Sequence, residues 1–150
     1  MTGSERGRPR RGQARVYFAR AVDGRSGAEV RQAVIDVASC LPGSGYEVVD
    51  GASPAVAQGL KPEELVPTQI SLVQSCDYFL MDLSLKDHLY IGCIAELVYA
   101  RLSNVPSVIY TGNLNLERRP WLSYHATHVT TSLVEAVQWI RAQEEGNAFN

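Results

Sequence analysis

The chain has 150 residues, of which 45% are hydrophobic and 20% are charged, and its formal net charge is −2. This length and composition are ordinary for one globular domain, and the small negative charge argues against a dedicated nucleic-acid-binding protein. The three cysteines, Cys40, Cys76 and Cys93, lack the spacing of metal ligands. We therefore expect reduced thiols, no metal, no transmembrane segment, no contact with a membrane and a cytoplasmic location.

The first fifteen residues differ in composition from the rest of the chain. Met1 is their only large apolar residue, and the other positions are rich in Gly, Pro, Ser and Gln and carry five arginines: Arg6, Arg8, Arg10, Arg11 and Arg15. Such a segment cannot bury apolar surface, so residues 1–15 are expected to form a disordered, solvated tail. Contact of these arginines with phosphate or RNA is the alternative. A second tail is expected at residues 144–150.

Between the tails, apolar runs typical of strands alternate with longer helical patterns. The predicted strands cover residues 15–19, 46–49, 76–82, 107–110 and 125–130. Predicted helices cover residues 26–41, part of 62–75, 92–104 and 132–143, with Ser26 and Glu29 as a capping box and Pro67 starting or kinking the second helix. Residues 111–123 are expected to form a loop. This alternation predicts one α/β domain over residues 16–143, with a parallel sheet of about five strands and helices on both faces.

The loop after the first strand, residues 20–27, precedes a predicted helix N-terminus. Backbone amides there, Ser26 and the guanidinium of Arg20 or Arg25 would suit a phosphate group. The alternative is a pair of solvated arginines. The loop lacks the glycine spacing of a dinucleotide-binding motif, and the chain contains no Gly-Lys-Ser or Gly-Lys-Thr phosphate loop.

Glu96 is the only charged residue in the apolar run from Leu89 to Ala100. Burying an ionised carboxylate is costly without compensating hydrogen bonds or charges, so such a residue is often functional. We expect Glu96 in or near the first turn of its helix, where free amides would keep it ionised. An oriented, partly desolvated carboxylate at the carboxyl end of a strand is a good nucleophile toward an anomeric carbon. The alternative is a first-turn acid that faces water.

Residues 120–125 combine proline with tryptophan, tyrosine and histidine. The aromatic rings could stack on a nucleobase, and Asn113 or His125 could reach a substrate in the same or a neighbouring subunit. The alternative is an apolar plug that packs this loop onto the sheet or onto a subunit contact. His125 and His128 have no convincing carboxylate or cysteine ligands nearby, which argues against a metal site.

Three of these segments together resemble the nucleoside 2-deoxyribosyltransferase superfamily, which includes nucleoside 5′-monophosphate N-glycosidases. They are the Val16-Tyr17-Phe18 strand leading to Asp23-Gly24, the segment from Cys76 to Ser84 containing Asp-Leu-Ser, and the segment from Gly92 to Leu97. The resemblance covers residues 16–141.

The resemblance implies a flavodoxin-like Rossmannoid fold, a homo-oligomer that is most often a dimer, and cleavage of an N-glycosidic bond without a cofactor. In this chain Glu96 would attack C1′, and Tyr17 would orient Glu96 through its hydroxyl. Water or a second base would resolve the glycosyl-enzyme intermediate. Contacts with the substrate, a nucleoside or nucleotide, are expected from Arg20, Asp23, Gly24, Arg25, Gln69, Asp82, Ser84, His88, Gly92, Asn113 and His125.

The chain also departs from the family pattern. Gln69 stands where many members have an aspartate that serves the base, and a glutamine cannot act as a general acid. Protonation of the leaving base is therefore unassigned, with Glu63, Glu64 and Asp87 as candidates. Two alternatives to the enzyme remain: a nucleotide-sensing or scaffold protein that keeps the pocket without turnover, and a flavodoxin-like partner module that binds no ligand.

Overall fold

The computed structural model describes residues 12–41, 45–53 and 58–148. The predicted arginine-rich tail lies outside the described residues as far as residue 11. No helix within the described ranges is long and apolar enough to cross a membrane.

Five parallel strands form one sheet in the order β2-β1-β3-β4-β5. The strands are β1 (Ala14–Ala19), β2 (Tyr46–Val49), β3 (Tyr78–Asp82), β4 (Ser107–Tyr110) and β5 (His128–Thr130). This order is the flavodoxin-like doubly wound arrangement. The predicted fold class is therefore confirmed, and β1 extends to Ala14, within the segment expected to be tail.

The described residues form five helices, of which four were predicted. They are α1 (Gly27–Cys40), α2 (Pro62–Ser75), α3 (Ile91–Leu102), α4 (Pro120–His125) and α5 (Leu133–Ala148). Ser26 caps α1 as predicted, because its side-chain oxygen accepts a 3.1 Å hydrogen bond from the Glu29 amide. Pro62 begins α2 and Pro67 lies inside it. Of the two predicted roles of Pro67, starting the helix was therefore wrong, and kinking it stays a prediction.

The segment from residue 111 to 123 was predicted to be a loop throughout, but its end belongs to α4. Pro120 occupies the first turn of this helix, where the missing amide hydrogen costs nothing and the fixed φ angle suits the helix. Other boundaries also move: β3 begins at Tyr78, β5 begins only at His128, and α5 continues to Ala148.

The two faces of the sheet carry separate hydrophobic cores, because side chains alternate along each strand. On one face Tyr17, Phe79 and Met81 pack against α2, α3 and the buried Leu122 of α4. On the other face α1 and α5 cover Val16, Phe18, Tyr78 and Leu80. The winding direction changes between β1 and β3, so the carboxyl ends of these two strands border the crevice where flavodoxin-like folds bind ligands.

Candidate active site

A hydrogen bond joins the two residues that were predicted to be catalytic. The Tyr17 hydroxyl, carried by β1, donates to Oε2 of Glu96 on α3. Tyr17 is buried in the core, and its ring stacks on Phe79 with 5.7 Å between ring centroids. Packing therefore holds the phenol in place, and the phenol in turn orients the carboxylate.

Glu96 is partly buried and lies in the second turn of α3, since the helix begins at Ile91. Glu96 was expected in or near the first turn and lies in the turn directly after it, but the prediction that free helix amides hold its carboxylate was wrong. The N-cap of α3 is Tyr90, which makes no side-chain capping bond. The hydrogen bond that holds Glu96 comes from Tyr17 instead.

The environment of Glu96 favours its protonated form. Burial raises the pKa of the carboxyl from the ordinary 4.5 to about 7, although the Tyr17 hydrogen bond and the Arg20 guanidinium act in the opposite direction. The pKa of Tyr17 lies far above its ordinary value, first because the phenol is buried and second because Glu96 carries negative charge. Tyr17 is therefore a neutral donor at physiological pH, whereas Glu96 exists in both protonation states.

The Tyr17–Glu96 pair opens onto a cleft of about 160 Å³ at the carboxyl end of β1. Residues 17–23, Ala52 and Gln69 line one part of it, and residues 89–93 with Glu96 line the other. The structure brings six of the predicted site residues together here: Tyr17, Arg20, Asp23, Gln69, Gly92 and Glu96.

Arg20 reaches the cleft, but its guanidinium is committed to the protein. It donates to both carboxylate oxygens of Asp50, at 2.7 and 3.0 Å, and its Nε donates to the Val30 carbonyl at 3.0 Å. Only 1% of its side chain is exposed. This geometry does not support the prediction that Arg20 binds a phosphate group. Arg20 instead ties the end of β1 to the end of β2 and to α1, and its positive charge favours ionised Glu96.

Several other predicted contact residues do not line this cleft. Arg25 donates to the Ala21 carbonyl at 3.0 Å, and Gly24 supplies the positive φ of 75° that the loop needs at this position. Asp82 accepts 2.8 and 2.5 Å hydrogen bonds from the amide and hydroxyl of Ser84, which shapes the turn after β3. The ring of His88 lies 2.8 Å from the Lys86 carbonyl.

Asn113 and His125 also lie outside the lining of the cleft. Asn113 is exposed, and His125 stacks on Trp121 with 5.2 Å between ring centroids. Leu122, which follows Trp121 on α4, is buried in the core, as expected for a plug that packs this segment onto the sheet. Trp121 is 67% exposed and Tyr124 is 66% exposed, so the aromatic rings themselves are accessible.

None of the three general-acid candidates lines the cleft. Glu63 and Glu64 are exposed in the first turn of α2, and Asp87 is exposed in a left-handed conformation with φ of 59°. Gln69 does line the cleft, but its amide donates to the Gly51 carbonyl at 3.0 Å. Among the described lining residues, Asp23 carries the one carboxyl group besides that of Glu96.

Sequence analysis missed two residues beside Tyr17 and Glu96. Cys93 is buried in the cleft wall, where burial and the charge of Glu96 raise the pKa of its thiol to about 12. Its position three residues before Glu96 puts both on one face of α3, a signal that the sequence contained. Gly51, against the Tyr17 hydroxyl, left no such signal. Within the described ranges, no three His, Cys, Asp or Glu side chains cluster as metal ligands would.

No family model matches the chain, and no curated protein shows significant sequence similarity to it. Solved structures do resemble it. The 2-deoxyribosyltransferase from Leishmania mexicana superposes with a TM-score of 0.65 at 16% identity, covering 84% of this chain and 95% of that one. The chain shares the fold of this enzyme. The CMP N-glycosidase BcmB from Clostridium botulinum gives a TM-score of 0.57 at 15% identity, covering 86% of this chain and 98% of that one.

A conserved protein from Enterococcus faecalis is similar to the same degree, with a TM-score of 0.62 at 11% identity and coverage of 85% and 98% of the two chains. At these identities the likeness establishes the fold and not the activity. At the level of the fold, the structural neighbours are consistent with the resemblance to the nucleoside 2-deoxyribosyltransferase superfamily.

Proposed function

We propose that this protein cleaves the N-glycosidic bond of a nucleoside or a nucleoside 5′-monophosphate and passes the sugar to another base or to water. The observation that carries this proposal is the hydrogen bond from the Tyr17 hydroxyl to Glu96, at a cleft beside the carboxyl end of β1. The fold shared with a deoxyribosyltransferase and an N-glycosidase supports the same type of reaction.

In the proposed reaction Glu96 is the nucleophile. Tyr17 donates to Oε2, so we assign Oε1 to attack on C1′. As the new C1′–O bond forms, the C1′–N bond breaks, and its electron pair leaves with the base, which takes up a proton. Water or a second base then attacks C1′ and gives up a proton, while the C1′–O bond to Glu96 breaks and its electron pair returns to the carboxylate. The proton donor to the leaving base is unassigned, and Asp23 and Gln69 are proposed to contact the substrate.

The direct test is a chromatographic screen of nucleosides and 5′-monophosphates for free base, with and without an added acceptor base. Release without an acceptor would identify a hydrolase, and appearance of a new nucleoside or nucleotide would identify a transferase. If no substrate releases base under either condition, the proposed activity is wrong.

The alternative is a nucleotide-binding protein without turnover, which the Gln69 geometry favours because this side chain bonds to backbone rather than supplying an acid. Calorimetric binding of a nucleoside or nucleotide, with no base released on long incubation, would establish that alternative. Absence of both binding and release would instead fit the ligand-free partner module.

We further propose a cytoplasmic homodimer. The three cysteines are free, which suits a reducing compartment. Ile91, Tyr99 and Leu102 are exposed at the helical spacing that places them on one face of α3, and Leu89 beside them is 70% exposed. An apolar face of this kind is typical of an interface between subunits.

For the homodimer we expect a mass of two chains by light scattering, and Leu102→Glu should shift this mass toward one chain. Leu102 does not line the cleft, so the carboxylate introduced by the substitution changes the exposed face of α3 and not the cleft. A mass of one chain for the unaltered protein would contradict the dimer.

A further inference from the structure

Gly51, directly after Asp50 at the end of β2, lies against the Tyr17 phenol. The residue is buried, and a Cβ built on it would overlap the Tyr17 hydroxyl and stand only 2.7 Å from Cζ and 2.9 Å from Cε2 of the same ring. Real Cβ atoms do not come this close to other heavy atoms. Any side chain at this position therefore has to displace the phenol.

The segment that carries Gly51 is fixed on three sides. Asp50 accepts two hydrogen bonds from the Arg20 guanidinium, and its Oδ1 also accepts a 3.0 Å bond from the Ala52 amide. The Gly51 carbonyl accepts the 3.0 Å bond from Gln69 on α2. Because the backbone is held from β1, from its own turn and from α2, it cannot move away easily to admit a side chain.

The geometry points to Gly51 as a positioning residue, whose bare Cα forms the wall that directs the Tyr17 hydroxyl onto the Glu96 carboxylate. Gln69 supports it by holding the Gly51 carbonyl. This role depends on the proposed function only for its kinetic consequence, since the position of the Tyr17 hydroxyl can be measured without a substrate.

Substitution by alanine separates this role from general packing. The hydrogen bond from Tyr17 favours the ionised form of Glu96. In Gly51→Ala the phenol is displaced and this hydrogen bond is lost. The titration midpoint of Glu96, followed by carbon NMR of the labelled carboxyl group, should therefore move to higher pH. The kcat for base release at pH 7 should fall about 10- to 100-fold, the effect of losing one hydrogen bond to a charged group, with KM little changed.

Other charged or titratable groups near the pair should not cause this shift. Gly51→Ala does not change the identity of any of these groups, whichever element carries them. They are Arg20 after β1, Asp50 after β2, Asp82 at the end of β3 and Cys93 on α3.

Gly45→Ala is the matched control. Gly45 lies just before the other end of β2, and a Cβ there would meet nothing within 4 Å. Its Glu96 titration and its kinetics should equal those of the unaltered protein. The background of Tyr17→Phe provides the second control: this change alone should raise the Glu96 midpoint, and adding Gly51→Ala should raise it no further, because the hydroxyl is already gone.

The outcomes distinguish the inference from the proposed function. An unchanged Glu96 midpoint in Gly51→Ala, or a further rise in the Tyr17→Phe background, would overturn the positioning role. If Gly51→Ala does not fold, Gln69→Ala tests the same wall without adding atoms, and an unchanged midpoint there would also count against it. If the unaltered protein releases no base, the proposed function fails, while the NMR titration still decides the role of Gly51.

Discussion

Glu96→Gln is expected to lower base release by roughly 10³-fold or more, because the amide keeps the shape of the side chain but cannot form the bond to C1′. The amide oxygen can still accept the hydrogen bond from Tyr17. The loss should therefore appear in kcat rather than in substrate binding. Initial rates of base release, measured by chromatography on the best substrate from the screen, provide the test.

Glu135→Gln is a suitable control for this substitution. Glu135 is exposed on α5 and does not line the cleft, so its replacement should leave the rate unchanged. Mass spectrometry of the rapidly quenched protein gives a second readout, because a glycosyl-enzyme intermediate adds the mass of the sugar to the peptide containing Glu96. Near-normal rates in Glu96→Gln would reject the nucleophile, even if the protein proves to be an N-glycosidase.

Much of the fold could be predicted because buried parallel strands are continuous apolar runs. The segment 78–82 shows this clearly: all five of its residues are buried, and the chain places a polar loop directly after it. Glu96 could be singled out because it is the only charged residue in an otherwise apolar run. Its partner Tyr17 came from the family resemblance, since an aromatic residue in a core strand is ordinary by itself.

Other features of the site could not be predicted, because they depend on contacts between residues distant in sequence. The sequence shows Arg20 as a free cation in a loop, but the fold places Asp50 within 2.7 Å of it. Gly51 follows Asp50, and its closeness to Tyr17 exists only once β1 and β2 are paired. One signal for the α4 helix was present in the sequence, because proline is common in the first turn of a helix. A helix of six residues, however, shows too little apolar periodicity to be detected.

The free energy of unfolding should reveal the cost of holding Glu96 in this cleft. The pKa of about 7 in the folded protein lies above the ordinary 4.5, so the folded state binds the proton more tightly than the unfolded chain. The stability that this proton contributes is fully present below pH 4.5 and is lost as the pH rises through 7. From the difference between the two pKa values, the free energy of unfolding should fall by about 3 kcal/mol as the pH rises between these limits.

Glu96→Gln removes this pH-dependent loss, because glutamine does not ionise. The variant should match the unaltered protein at pH 4 and should be more stable at pH 8, by up to about 3 kcal/mol in urea unfolding. The difference between variant and unaltered protein cancels the titration of the other carboxylates, and Glu135→Gln should show no comparable gain at pH 8. Equal stability of Glu96→Gln and the unaltered protein at pH 8 would mean that the carboxylate is not buried as the structure has it. A gain confined to high pH would show that the fold tolerates a destabilising charge at the one position where the proposed chemistry requires it.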